Sequence, residues 1–164
     1  HGGLRDGKGT VYEGGIRVPC VVRWKGRIAA GSVSDRVTGF EDWLPTLAEM
    51  AGGSTVPTGI NGISFAPTLL GESQPERSFL YREFAGYQGQ QSIRVGEWKA
   101  VRQKLMPRRN AEPVIKTELY NLKDDLAETR DVSADHPTVV ARLERLMRDH
   151  RTSSEEFPIP ILDN

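Results

Sequence analysis

The sequence predicts an α/β protein that ends in a small antiparallel sheet packed with a helix, and three patterns carry that reading. A β-branched run, Val18-Pro-Cys-Val-Val-Arg-Trp24, precedes apolar residues at helical spacing: Phe40, Trp43, Leu44, Leu47, Ala48 and Ala51. Four short strand-like runs follow between 78 and 122. A second amphipathic stretch then places Val139, Val140, Leu143, Leu146 and Met147 on one helix face.

Taken in order, residues 1–19 are glycine-dense and loop-like. The run from Val18 to Trp24 reads as a buried strand, and Lys25–Gly31 turns away from it. In the helix that follows, Pro45 lacks an N–H and belongs near the first turn, while Gly52-Gly53 supplies the stop. Residues 54–77 are rich in Pro, Gly and Ser and predict an extended connection, with turns at Asn61-Gly62 and Gly71. Strands are expected at Ser78–Phe84, Ser92–Val95, Trp98–Gln103 and Thr117–Leu122. Gly96-Glu97, between the second and third, suits a type II′ hairpin turn. Asp135 is the expected cap of a helix carrying Pro137 in its first turn, and the proline-rich tail Phe157–Leu162 predicts an extended strap. The organisation is therefore 1–53 as the end of a larger α/β domain, 54–77 as connection, and 78–164 as an antiparallel α+β subdomain.

Bulk properties narrow the function. The chain has 164 residues, and its 22 Lys+Arg balance 22 Asp+Glu. A net charge of zero gives no global field toward nucleic acid or membrane surfaces. No apolar run approaches the roughly 20 residues of a membrane span, so neither kind of partner is expected. One cysteine excludes an internal disulfide and says little about compartment. The chain opens inside a loop without an initiator Met or a signal peptide, which points to a fragment of a longer protein.

Chemistry concentrates at Lys8. A lone cation among Gly2, Gly3, Gly7, Gly9, Gly14 and Gly15 is a point charge in backbone that can approach a ligand closely, which suits phosphate, sulfate or carboxylate. Gly2-x-x-x-x-Gly7-Lys8 nearly matches a nucleotide-binding P-loop, but Gly9 stands where Ser or Thr is needed, and Gly14-Gly15 should break the required helix. His1 could reach the same anion. His136 and His150 lack metal-ligand spacing, and Cys20, among Pro19, Val21 and Val22, reads as a small core hydrophobe.

The segment Leu4-Arg-Asp-Gly-Lys-Gly-Thr-Val-Tyr-Glu-Gly-Gly-Ile-Arg-Val-Pro19 resembles the signature near the C-terminal end of the catalytic domain of type I sulfatases, the arylsulfatase-like members of the alkaline-phosphatase-like superfamily. That signature carries glycine at the position of Asp6. Phe40-Glu-Asp-Trp-Leu-Pro-Thr-Leu-Ala-Glu-Met-Ala-Gly52, Asn61-Gly-Ile-Ser-Phe-Ala-Pro-Thr-Leu-Leu70 and Glu118-Leu-Tyr-Asn-Leu-Lys-Asp-Asp-Leu-Ala-Glu-Thr-Arg-Asp-Val132 resemble further family blocks in family order. In the last of them, Leu126 replaces the usual proline and Asp131 the usual asparagine. The resemblance implies the C-terminal part of an alkaline-phosphatase-like sulfatase fold, with Lys8 as the catalytic, sulfate-contacting lysine.

It also implies a parent that hydrolyses a sulfated small molecule or glycan using calcium, or another divalent metal, and a formylglycine. Cys20-Val-Val-Arg23 does not match the formylglycine motif, and the family's metal ligands lie in upstream segments. The missing N-terminal part of the same protein is thus the expected partner, and the isolated chain is expected to be inactive. Glu13 and Arg17 would hold the Lys8 loop, and Gln88–Gln91 and Lys104–Arg109 are candidates for the pocket rim. A phosphate or phosphonate ester hydrolase of the same superfamily and a non-catalytic sulfatase-like module are the rival readings.

Overall fold

The computed structural model describes residues 2–53, 56–107 and 114–163. In chain order its elements are α1 (Glu13–Ile16), a 3-10 turn (Phe40–Asp42), α2 (Trp43–Met50), α3 (Ala66–Leu69), β1 (Leu80–Phe84), β2 (Gln90–Val95), β3 (Trp98–Arg102), β4 (Thr117–Asn121), α4 (Pro137–Asp149) and α5 (Pro160–Asp163). They form two compact units: His1–Val18 with Phe79–Asn164, and Pro19–Ser78. No helix among the described residues is long and apolar enough to cross a membrane.

In the first unit β1-β2-β3-β4 form an antiparallel sheet in sequence order. Because side chains alternate across a strand, register decides which residues share a face. Tyr81, Ile93, Ala100 and Leu119 lie opposite one another in a row. Ile93, Ala100 and Leu119 pack against Leu143 and Met147 of α4, all five essentially inaccessible to water. The helical spacing read from the sequence therefore describes α4 well. Its N-cap position is His136 rather than the expected Asp135, whose carboxylate instead faces Arg130 at 3.3 Å. Gly96 adopts φ +58, which glycine takes without strain, and joins β2 to β3 as the Gly-Glu pair predicted.

The opposite face carries Lys99 and Val101 from β3 and Glu118 and Tyr120 from β4. It is covered by the chain's own N-terminal loop: Val11 and Tyr12 join Val101, Tyr120 and Leu122 in a second apolar cluster. The tail is not a simple strap. Ile159 is fully buried, Pro160 opens the short turn of α5, and Arg151 holds Glu83 at 2.9 Å and Asp163 at 2.7 Å.

The second unit is organised by Asp42 rather than by the expected apolar helix face. The Asp42 carboxylate accepts from the N–H groups of Gly39 (2.7 Å) and Ile63 (2.8 Å) and pairs with Arg77. Thr46, one turn on, accepts the Phe65 N–H at 3.0 Å, and Trp43 meets Phe65 edge-on at 4.9 Å. Asp42, Thr46 and Phe65 are buried, whereas Phe40, Leu44 and Leu47 are exposed. The connection is not wholly extended, since α3 interrupts it. Gly62 serves close packing rather than a turn: a Cβ there would meet the Glu41 carbonyl oxygen at 2.1 Å.

Replacing Asp42 with alanine strands two amide donors and weakens the neutralisation of Arg77, which keeps Glu41 at 3.9 Å. A loss of about 1–3 kcal/mol is expected, read as an earlier urea midpoint in the Trp43 fluorescence transition. An unchanged midpoint would show that Asp42 does not organise this unit.

The expected strand at 18–24 is absent. Its backbone forms no ladder with any described strand, and Val18, Cys20 and Val21 are exposed. Cys20 is therefore not a core residue in this structure. A β-branched run marks a segment that suits pairing, but a strand exists only beside a hydrogen-bonding neighbour.

Candidate anion-contacting site around Lys8

The loop bearing Lys8 is built by glycine contacts and clamped by side chains from the sheet. Thr10 closes a turn on Gly7 through its N–H (3.2 Å) and hydroxyl (3.1 Å), bracketing Lys8. Gly14-Gly15, expected to break a helix, lie within the single turn of α1. Added Cβ atoms would sit 2.3 Å from the Arg5 carbonyl oxygen and 2.2 Å from the Thr10 carbonyl oxygen. The pair is thus required by backbone packed on backbone. Asp6 adopts φ +55, a left-handed conformation, which accounts for glycine at this position of the sulfatase signature.

Three sets of contacts fix the loop to the sheet. The Gln90 side-chain amide donates to the Gly9 carbonyl (2.8 Å) and accepts from the Val11 N–H (3.2 Å), gripping the backbone just after Lys8. Arg5 donates to the Tyr120 hydroxyl (2.6 Å) and the Glu128 carbonyl (2.9 Å), with its guanidinium 3.9 Å from the centre of the Tyr12 ring. Both phenols, Tyr12 (2.5 Å) and Tyr120 (2.7 Å), donate to the same Glu118 oxygen. Burial, and then the hydrogen bond to Glu118, push both phenols well above the usual tyrosine range, so they remain donors.

Beneath α1 lies a buried charge cluster. Lys99 Nζ is 2.8 Å from Glu13 Oε1 and 2.9 Å from Glu128 Oε1, and Glu128 Oε2 accepts the Glu13 N–H at 2.6 Å. Glu128 Oε1 has the ionic contact but no hydrogen-bond geometry. Burial raises the Glu128 carboxyl above its ordinary range, against the lowering effect of Lys99. The expected Glu13 pair with Arg17 exists at 3.6 Å with Arg17 half exposed, so the main partner of Glu13 is Lys99.

Lys8 itself is exposed, and its side chain has no ion pair or hydrogen bond among the described residues. It remains available to an external anion. His1, Arg108 and Arg109 lie outside the described residues. Of the expected rim, Gln90 and Gln91 are buried while Lys104 is exposed at φ +57. The carboxylates of Glu13, Glu118 and Glu128 are engaged by Lys99, Arg5 and the two phenols, and Asp6 is exposed. Among the described residues no group of three or more His, Cys, Asp or Glu could hold a metal ion. These residues do not fit a calcium site, and Cys20, exposed and followed by Val-Val-Arg, does not fit a formylglycine precursor.

Sequence reasoning reached Lys8 and the loop but missed Gln90 as the clamp, and Lys99 and Glu128 as the buried support. The one available signal was a lysine within the otherwise apolar Trp98–Val101 run, which, if buried, calls for a counter-charge.

The comparisons with known proteins agree with this architecture. Residues 3–153 match the family described as N-sulphoglucosamine sulphohydrolase, C-terminal. Human arylsulfatase A is 39% identical over 100 residues, covering 59% of this chain and 20% of that protein. A sulfatase of Formosa agariphila is 36% identical over 146 residues, covering 82% and 26%. Among solved structures, i-CgsB in complex with k-i-k-neocarrahexaose superposes with a TM-score of 0.68 at 28% identity, over 89% of this chain and 31% of that one. A four-stranded antiparallel sheet with helices is thus what this chain shares with solved sulfatase structures. The chain belongs to the sulfatase family, as the C-terminal part of a sulfatase, and it spans between a fifth and a third of the length of these relatives.

Proposed function

We propose that this chain completes the anion site of an enzyme that hydrolyses sulfate esters, contributing Lys8 to the bound sulfate. The reaction is R–O–SO₃⁻ + H₂O → R–OH + HSO₄⁻: the S–O bond to the ester oxygen breaks, water supplies the new S–O bond, and the leaving oxygen gains a proton. The observation that carries the reading is an exposed Lys8, with no side-chain ion pair or hydrogen bond among the described residues, in a loop whose backbone is fixed by the Gly7–Thr10 turn and by Gln90. A fixed backbone sets where the Lys8 side chain starts, and an ammonium beside the sulfate lowers the energy of charge that builds on its oxygens. On this reading Arg5, Tyr12, Glu118 and Tyr120 serve to anchor the loop.

Calcium, or another divalent metal, and formylglycine belong, on this reading, to the parent's sequence outside these 164 residues, and the N-terminal part of that protein is the chain's partner. Support comes from the second unit. Phe40, Leu44, Leu47, Val21 and Val33 are exposed apolar side chains within 19–78, and an N-terminal part packed on them would take that surface out of water. The substrate is a sulfated small molecule or glycan.

The test is an assay of released sulfate, with purified 164-residue chain and full-length parent run in parallel on aryl and sugar sulfates and on matching phosphate monoesters. The parent is expected to release sulfate and the isolated chain none. Turnover by the isolated chain would overturn its assignment as an incomplete part. A parent that cleaves only the phosphate esters would replace sulfatase by the phosphohydrolase reading.

A further inference from the structure

We propose that Tyr87 is a substrate-stacking residue: its exposed ring forms a platform beside Lys8 for the ring that bears the sulfate, an aryl group or a pyranose. This rests on the assignment of Lys8 to the sulfate. Tyr87 occupies the β1–β2 loop, and its ring is seated on the residue that follows Lys8. A Cβ on Gly9, which adopts φ +93, would lie 2.7–3.2 Å from three atoms of the Tyr87 ring, so only glycine lets the two meet. The ring nevertheless remains open to solvent, with Tyr87 70% exposed. Phe84, 41% exposed, lies 6.0 Å away and extends the same aromatic surface.

The backbone here is held against its preference. Tyr87, Gln88 and Gly89 take φ values of +50, +74 and +73 in succession. Non-glycine residues persist in that region where their surroundings over-determine it, a condition that concentrates at ligand-binding sites. The constraint is visible: Met106 N–H donates to the Gln88 carbonyl at 2.7 Å, Leu105 N–H to the Gly89 carbonyl at 3.1 Å, and Gly89 N–H to the Gly86 carbonyl at 3.1 Å. Gln90, next in the chain, grips Gly9 and Val11. One hairpin end therefore sets both the position of Lys8 and the presentation of an exposed aromatic ring. The combination suits a ligand with a flat or chair-shaped ring and an attached anion: the ammonium takes the sulfate while the ring face packs on Tyr87.

The experiment measures kcat and KM in the full-length parent for Tyr87→Asn, Tyr87→Phe and Lys8→Ala. Asparagine tolerates the left-handed backbone and removes the ring; phenylalanine keeps the ring. The substrates are an aryl sulfate and a monosaccharide sulfate, with a straight-chain alkyl sulfate as ringless control, read as substrate or as competitive inhibitor. Tyr87→Asn is expected to raise KM about five- to tenfold for ring-bearing esters, with kcat little changed, because stacking away from the reacting atoms contributes uniform binding. The alkyl arm should be unaffected, and Tyr87→Phe should behave as wild type. Loss confined to the aryl arm identifies an aromatic leaving group, and loss on the sugar arm a glycan; either supports the proposal. Equal loss on all three substrates, or no loss on any, overturns it. If Lys8→Ala also leaves every rate unchanged, the sulfate site itself is wrong; if only that variant is impaired, the stacking role alone falls.

Discussion

Lys8→Ala in the full-length parent enzyme is expected to lower kcat for sulfate ester hydrolysis by about 10²–10³-fold, the typical effect of removing one preorganised group that stabilises developing charge. Stability should scarcely change. The side chain is exposed and makes no ion pair or hydrogen bond among the described residues, so its truncation leaves no buried group unsatisfied. The loop keeps its shape because that shape is set by other atoms: the Thr10 bonds to Gly7, the Gln90 amide and the Arg5 contacts. Lys8→Arg tests geometry at constant charge. A guanidinium is wider, and its planar fork differs from a compact ammonium, so incomplete recovery is expected. Steady-state kinetics with thermal unfolding as a control decides the matter. A stable Lys8→Ala enzyme with wild-type kinetics would remove Lys8 from the reaction, whereas a parallel fall in kcat and melting temperature would make it a structural residue.

The sequence was most readable where interactions are local. The four strands emerge within about two residues of expectation because alternation, the Gly96-Glu97 turn and the β-branched residues act over a few positions. The face of α4 was legible because its partner, the Ile93–Ala100–Leu119 row, lies within the same unit. The pattern at Phe40, Leu44 and Leu47 was equally regular, yet these side chains are exposed while Asp42 and Thr46 are buried. Periodicity shows which residues suit burial and is silent on which surface covers them. The same limit applies to Val18–Trp24. At the candidate site, Lys8 was legible because its glycines are contiguous with it in sequence. Gln90 was named only as rim, and Lys99 and Glu128 were missed. Their partners are 81, 86 and 115 residues away, at Gly9, Glu13 and again Glu13, and nothing local specifies such pairings.

The buried cluster supports the sharpest stability prediction. Lys99 is 1% exposed, and its single positive charge faces two carboxylates, Glu13 and Glu128. Lys99→Met preserves much of the side-chain volume but leaves both acids without their ammonium; among the described residues half-exposed Arg17 is the remaining cation paired with Glu13. Removing one partner of a buried ion pair costs about 3–5 kcal/mol, a large share of the roughly 5–15 kcal/mol available to a typical domain.

Glu128→Gln is the informative contrast. It leaves Lys99 and Glu13 as a one-to-one pair and retains an acceptor for the Glu13 N–H, so a change of only about 0.5–1.5 kcal/mol is expected. The pH dependence has a defined sign. Glu128 has a raised folded pKa, because burial disfavours its charged form. Its contribution to stability is therefore full below the unfolded glutamate pKa and is lost as pH rises through the folded value. Without Lys99 the folded value rises further, so Lys99→Met should be more destabilising at pH 7 than near pH 5, while Glu128→Gln should flatten that dependence. Urea unfolding at the two pH values measures both effects. A Lys99→Met protein as stable as wild type at pH 7 would show that the three charges do not hold α1, and with it the Lys8 loop, against the sheet.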